Sequence, residues 1–265
     1  MLKKFFIILT VFFLFSCSGT QNSKNNNQDN QGQKPEEMYI IAKNSFDSSN
    51  YILANEQFIE ITKLYPLSNE AIQSEIMLGF ISYLILDYDS ATLQFNKIIN
   101  KYPAHKNLDY VYYMRAMCYY EQITHHGLDG TYNELAYDNF KQVINRFPES
   151  KYASDSRQKI ILVNSNKAAK HMEIGRFYLK EKKYTAALNR FKIVIEEYSM
   201  TKFTPEALHR MVEAYYEIGM FEESTKTASL LGHNYPNSKW YRYSYNLIKK
   251  INNDESLFKK VKNIF

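Results

Sequence analysis

The chain repeats itself. Residues 50–66, 87–103, 135–148 and 183–199 end alike: a small residue, then Phe four positions later, then Pro or its replacement eight positions after that. The sets are Ala54, Phe58 and Pro66; Ala91, Phe95 and Pro103; Ala136, Phe140 and Pro148; Ala187, Phe191 and Ser199. A weaker fifth copy runs Ser224, Ala228 and Pro236. Twelve residues before the small residue stands another compact one, Ala42, Gly79, Gly175 or Val212; in the third copy the match is Ala116, twenty before Ala136. The excess there is the segment 124–131, Thr-His-His-Gly-Leu-Asp-Gly-Thr. A period of this size marks stacked supersecondary units that bury a continuous core between neighbours. Small residues let two antiparallel helices approach, Phe fills the space between neighbouring pairs, and Pro stops the second helix. Apolar residues recur at helical rather than alternating spacing.

These residues and their order resemble the tetratricopeptide repeat over residues 35–240. The resemblance implies an all-α superhelix of five helix pairs, and it specifies a scaffold rather than a chemistry. It divides the chain into repeats 1–3 over 35–165, repeats 4–5 over 166–250, and a cap or tail over 251–265. That last stretch is short and amphipathic. It also implies that the first helix of each pair lines a concave groove through positions at i, i+4 and i+7. These are Tyr39, Lys43 and Phe46; Ile76, Phe80 and Tyr83; Tyr113, Met117 and Tyr120; Met172, Arg176 and Leu179; His209, Glu213 and Tyr216. The aromatic ones, Tyr39, Phe46, Phe80, Tyr83, Tyr113 and Tyr120, fall in the first three repeats, as a groove for an extended apolar peptide would need. The same spacing equally serves side chains that pack within the superhelix.

Ahead of the repeats, Lys3 and Lys4 precede an apolar run from Phe5 to Phe15 that stops at Ser16 and Cys17. The run is about half the ~20 residues that span a bilayer, and its layout fits an export signal over residues 1–16. Leu14-Phe15-Ser16-Cys17 resembles a bacterial lipobox, with Phe15 bulkier than usual, and makes Cys17 the expected lipidation site. Residues 18–34 hold nine Asn or Gln and no aromatic or aliphatic side chain, so with Cys17 they form a flexible tether, residues 17–34. Such a coil reaches about 23 Å root-mean-square. Acyl chains at Cys17 would supply a membrane anchor.

Charge and cysteine usage exclude several classes. The net charge of +5 is too mild for a nucleic-acid partner. It is unevenly spread: residues 35–103 carry four Lys against nine acids, whereas 167–250 carry fifteen Lys or Arg against nine. Opposite signs at two ends suit two different partners. Cys118 is the one cysteine besides Cys17, so no disulfide framework is available. His125 and His126 lack the Cys, Asp or Glu spacing of a metal site, Cys118 sits in an apolar helix, and no nucleotide loop or Ser/His/Asp order stands out. No catalytic residue, metal or cofactor is expected.

Within the third repeat, residues 105–122 with Asn107, Asp109, Tyr110, Tyr113, Met114 and Arg115, followed by residues 136–156, resemble the BamD family of outer-membrane assembly lipoproteins. So do residues 65–80 and Ala187-Leu188-Asn189-Arg190-Phe191. The resemblance implies a lipid-anchored adaptor on the periplasmic face of the bacterial outer membrane. Its carboxy-terminal repeats would dock the POTRA region of the barrel subunit BamA, with Arg190 at the contact. Its amino-terminal repeats would receive carboxy-terminal segments of unfolded outer-membrane proteins, beside other assembly lipoproteins. The loop in the third repeat is shorter than that family's, and Ser199 stands where Pro is expected. A lipoprotein scaffold for secretin, pilus or cell-wall machinery would use the same fold.

Overall fold

In the computed structural model, residues 32–124 and 130–249 are described. Ten helices follow one another: α1 (Pro35–Asp47), α2 (Tyr51–Leu64), α3 (Asn69–Leu84), α4 (Tyr88–Lys101), α5 (Leu108–Tyr120), α6 (Thr131–Arg146), α7 (Lys151–Lys180), α8 (Tyr184–Glu197), α9 (Thr204–Glu217) and α10 (Phe221–Asn234). A further helical stretch covers residues 239–249. Each helix packs on the next, giving five antiparallel pairs. Successive first helices also touch one another (α1 with α3, α3 with α5, α5 with α7, α7 with α9), whereas successive second helices do not. The stack therefore curves toward its first helices, and those helices line the concave side. This is the tetratricopeptide-repeat superhelix.

The repeat residues form its spine. Phe58, Phe95, Phe140 and Phe191 are fully buried, and so are Ala54, Ala91, Ala136 and Ala187. A Cβ built on Gly79 would lie 2.8 Å from the Phe95 ring, and one on Gly175 would lie 2.5 Å from Phe191. The Phe thus presses on the compact residue of its own pair as well as facing the next: Phe95 clusters with Leu108 and Val111 of α5, and Phe191 with Ala207 and Met211 of α9.

The ends of the helices follow from local chemistry. Asn50, Ser68, Asp87 and Ser150 accept hydrogen bonds from backbone N–H groups of the first turns of α2, α3, α4 and α7. Second helices stop at Tyr65, Tyr102, Phe147 and Tyr235, each directly before a proline that disfavours helical backbone in its predecessor. Tyr198 stops α8 with similar dihedrals although Ser199 follows it. There the Thr204 hydroxyl donates to the carbonyls of Ser199 (2.9 Å) and Tyr198 (3.3 Å), which ties the turn to the start of α9.

Helix α7 is continuous for 30 residues, so the boundary expected between residues 165 and 166 falls in mid-helix. No Gly or Pro interrupts residues 151–174. Its amino-terminal half packs Val163 and Ile160 against α5 and α6, and its carboxy-terminal half packs Ala168 and Met172 against α8 and α9. The far end of the last pair is covered by residues 239–249, whose Tyr241 ring sits 2.5 Å from where Gly232 would carry a Cβ. The tail over 251–265, His125 and His126, and Cys17 with the signal and nearly all of the tether lie outside the described residues.

The turn between the helices of a pair puts one residue in the left-handed region: Ser49 (φ 61°), Leu86 (φ 66°), Lys182 (φ 56°) and Gly219 (φ 78°). Leu86 suits this least, being apolar, well exposed and carrying a Cβ. Leu86→Asn is expected to raise stability by about 0.5–1 kcal/mol, since Asn tolerates this conformation. Urea denaturation of the two proteins checks it; a lower midpoint for the variant would refute it.

Candidate functional site

An aromatic strip runs along the concave side of the first three pairs. Phe46 of α1 lies 5.8 Å from Phe80 of α3, and Phe80 stacks on Tyr83 (6.2 Å) and meets the edge of Tyr110 of α5 (6.4 Å). Tyr110 reaches Tyr152 of α7 (5.4 Å), which stacks on Tyr113 (5.1 Å). Tyr113 and Tyr120 then flank Phe140 at 6.1 and 6.0 Å. All but Phe140 are half-buried, packed at their edges and open on the remainder.

Two of the hydroxyls are tied to carboxylates one first helix further on, Glu121 at the end of α5 and Asp155 on α7. Tyr113 donates to Asp155 at 2.6 Å and Tyr83 to Glu121 at 3.3 Å. Burial first, then these acids, raise both phenol pKa values well above the usual range, so the rings stay neutral donors at any physiological pH. Lys43 lies over the Phe46 ring and pairs with Asp47, and Lys159 lies over Tyr120. The strip is therefore a neutral aromatic floor with both signs of charge beside it, Asp47, Glu121 and Asp155 against Lys43, Lys151 and Lys159.

Five of the six aromatic residues expected to line the groove, Phe46, Phe80, Tyr83, Tyr113 and Tyr120, join this strip. Tyr39 instead leans on Phe58 (5.6 Å) in the core of the first pair. Ile76, Met117, Met172 and His209, given groove positions by the same spacing, are buried core residues, because the inward-turning edge of each first helix packs on its neighbours. Tyr110 and Tyr152 join the strip without holding groove positions in the repeat. Tyr110 lies one turn before Tyr113, a signal the sequence does hold, while Tyr152 belongs to the extra turns of α7 that no repeat register covers.

Toward the carboxy-terminal end the concave side turns ionic. Arg176 of α7 donates to Glu206 of α9 at 3.0 Å, and Arg210 contacts Glu206 (3.5 Å) and Glu213 (2.8 Å). Trp240 receives the Arg210 guanidinium on its face at 5.3 Å and lies 5.3 Å from the His209 ring. His209 is flanked by the Ser244 hydroxyl (Nδ1 at 2.9 Å) and Glu213 (Nε2 at 3.3 Å). This Ser–His–Glu chain is not laid out as a nucleophile: Ser244 is fully buried, and the chain fastens residues 239–249 to α9. Burial would raise the Glu213 pKa, but hydrogen bonds from His209 and Arg210 outweigh it and hold the carboxyl below its usual value. A depressed folded pKa contributes stability above the unfolded value near 4.3, lost as pH falls through the folded one. Glu213→Gln is therefore expected to lower the melting temperature by more at pH 6 than at pH 3; an equal gap at both would refute it.

Elsewhere, burial pushes the Cys118 thiol up to about 12, which leaves it an inert core residue. Among the described residues no group of three or more His, Cys, Asp or Glu is placed to hold a metal ion. Arg190 is half-exposed on α8; after burial, its charge is the strongest influence lowering the His171 pKa, and no ion pair engages it among the described residues.

The residues that carry the resemblance in the third repeat are ties between helices. Ser150 donates to Asp109 at 2.6 Å, Asn107 to Gln73 at 3.4 Å, and Arg115 spans from Asn96 of α4 (2.8 Å) to Gln142 of α6 (2.9 Å).

Residues 31–231 match the model of the YfiO family, described as outer membrane lipoprotein. The chain is 43% identical over 207 residues to the outer membrane protein assembly factor BamD of Rickettsia prowazekii, covering 78% of this chain and 82% of that one. It is 37% identical over 217 residues to the factor of the same name from Caulobacter vibrioides, covering 82% and 71%. The Neisseria meningitidis serogroup A protein of that name is 26% identical over 255 residues, covering 92% and 96%. With its repeat superhelix and a match spanning most of its length, the chain belongs to the BamD family of outer-membrane protein assembly factors.

Proposed function

We propose that the chain is a lipid-anchored adaptor on the periplasmic face of the outer membrane, receiving unfolded barrel proteins at one end and docking a BamA-like barrel subunit at the other. The aromatic strip from Phe46 to Tyr120 carries this reading. A string of half-open rings, two of them with tethered hydroxyls, gives an extended peptide contact area at low entropic cost. The peptide is the carboxy-terminal segment of a barrel protein. The opposite charge of repeats 4–5 supports a second partner there, the POTRA region, with Arg190 as its anchor: a guanidinium with no carboxylate paired to it among the described residues is available to fork onto one from outside. Acyl chains on Cys17 hold the adaptor near the bilayer, within reach of other assembly lipoproteins.

The test is a detergent pull-down with the mature protein and its Arg190→Glu variant, identifying the retained integral membrane protein. The wild type is expected to retain a POTRA-bearing barrel protein and the variant to retain at least about tenfold less, the equivalent of one charge-assisted bidentate contact. If wild type retains a secretin or a murein enzyme instead, the assembly role is wrong. If both proteins retain the barrel protein equally, Arg190 is not the contact.

A further inference from the structure

The extra length of α7 leaves a recess on the concave side. The other first helices run 13–16 residues against 30 for α7, so neither neighbour flanks it throughout. Helix α5 lies along its amino-terminal half, from Asp109 at Ser150 to Met117 near Val163, and α9 lies along its carboxy-terminal half, where Glu206 meets Arg176. Between the end of α5 and the start of α9 a pocket of about 540 Å³ opens onto the middle turns of α7. Tyr120 and Ile123 line it from the end of α5, Leu162, Val163 and Ala169 from α7, and Phe203 from the turn before α9. Its polar lining is already engaged: Ser165 donates to the Ile161 carbonyl (2.8 Å), Asn166 donates to the Thr124 carbonyl (3.3 Å) and to Asn133 (3.2 Å), and Glu121 accepts from Tyr83. Lys202 lies over the Phe203 ring at 5.3 Å and is opposite in sign to Glu121. What the pocket leaves open is apolar surface, with Leu162 52% exposed.

We propose that this pocket anchors a bulky aromatic side chain of the same extended peptide that lies on the aromatic strip. The inference rests on the peptide-receiving reading above and adds to it the position that selects among sequences. Continuity joins the two places: Tyr120 is the last ring of the strip and a wall of the pocket, and Lys159, over Tyr120, stands only about 5 Å along α7 from Leu162. Size and lining choose the occupant. The volume exceeds what one aliphatic side chain fills, and two rings, Tyr120 and Phe203, bound it. The opposite charges of Glu121 and Lys202 favour a side chain with no charge of its own. Aromatic anchors sunk in such recesses carry much of the energy of an interface, while contacts on an open floor mainly supply complementarity. The strip thus accepts many extended sequences, and the pocket ranks them by the side chain that follows the stretch on the strip.

The probes are three unlabelled peptides of about ten residues, long enough to span ~33 Å when extended, acetylated and amidated so that their ends are uncharged. Each alternates Val with Ser, which puts the apolar side chains on one face. They differ only in the last apolar position at either end: Trp at the amino end, Trp at the carboxyl end, or Ala at both. Calorimetric titrations would use the wild-type chain and two variants of the exposed Leu162, Leu162→Trp to fill the recess and Leu162→Asp to put a charge in it. One of the Trp peptides is expected to bind wild type about tenfold more tightly than the Ala peptide, and the variants to lose most of that gain while holding the Ala peptide as before. If Trp at neither end improves binding to wild type, the anchor pocket is overturned and the strip stands as a peptide groove. A gain that survives both Leu162 substitutions overturns it too, by placing the Trp side chain elsewhere. If none of the three peptides binds, the peptide-receiving reading falls, and the anchor pocket with it.

Discussion

Phe191→Ala is expected to destabilise the chain by about 3–5 kcal/mol, the full cost of emptying a well-packed aromatic site. The ring is fully enclosed, gripped between Gly175 of its own pair and the α9 residues Ala207 and Met211 of the next. Removing it leaves a cavity that Gly175 has no side chain to fill and that touches two repeats at once, so the interface with α9 should loosen together with the pair itself. The converse change tests the same contact from the other side. A methyl at residue 175 would lie 2.5 Å from a ring carbon of Phe191, too close for any real Cβ. Gly175→Ala should therefore cost about 1–2 kcal/mol despite the better helix propensity of alanine. Combined with Phe191→Leu, which vacates that space, the double variant should be more stable than the sum of the two changes implies. Urea unfolding measures these variants and Phe191→Leu alone, with Phe177→Ala as control, since Phe177 lies on the neighbouring α7 with 56% of its surface exposed. A cost for Phe191→Ala no larger than the control's would show that the Phe column does not hold the stack together.

That column was legible in the sequence because it is local and repeated. Ala54, Phe58 and Pro66 answer Ala91, Phe95 and Pro103 at fixed spacing, and each does one physical job within its own pair. What the sequence obscured depends on contacts that no repeat register contains. Helix α7 hides a boundary, because residues 151–174 hold nothing that breaks a helix and both halves find apolar partners. Tyr152 enters the aromatic strip from those additional turns, so its place follows from the packing of α7 on α5 and not from any period. His209 satisfies the spacing of a groove residue, yet the stretch 239–249 covers it and turns it into a buried anchor for Ser244. The aromatic half of the groove could be read from residue spacing, since Tyr and Phe there face their counterparts one repeat away. The ionic half was read only in part: Arg176 and Glu213 hold groove positions, but Arg210 lies outside that register and is placed there by Glu206 and Glu213.

The third repeat supplies the sharpest case of a residue whose charge matters less than its shape. Arg115 is half-buried between α4 and α6, with Nη1 on Asn96 (2.8 Å), Nη2 on Gln142 (2.9 Å), and its Cζ over the Tyr112 ring, 4.9 Å from the centroid. Two amide oxygens on different helices are held by the two arms of one planar group, which locks the second pair to the third. Burial lowers the Arg115 pKa, but not to where a guanidinium loses its proton, so the tie persists across the physiological range. Lysine keeps the charge and loses the fork: a single ammonium cannot reach both oxygens along the directions the guanidinium sets, and it cannot stack flat on Tyr112. Arg115→Lys is therefore expected to cost about 2 kcal/mol, close to the cost of Arg115→Ala, because each leaves at least one part-buried amide without its partner. Arg115→Met, with Asn96→Ala to remove the stranded oxygen and Gln142→Ala to remove its exposed counterpart, should recover a good part of that loss. Urea midpoints for the four proteins decide the matter. A lysine variant as stable as wild type would mean that charge alone joins the repeats here, and a triple variant no better than alanine would mean that the stacked plane on Tyr112 contributes most.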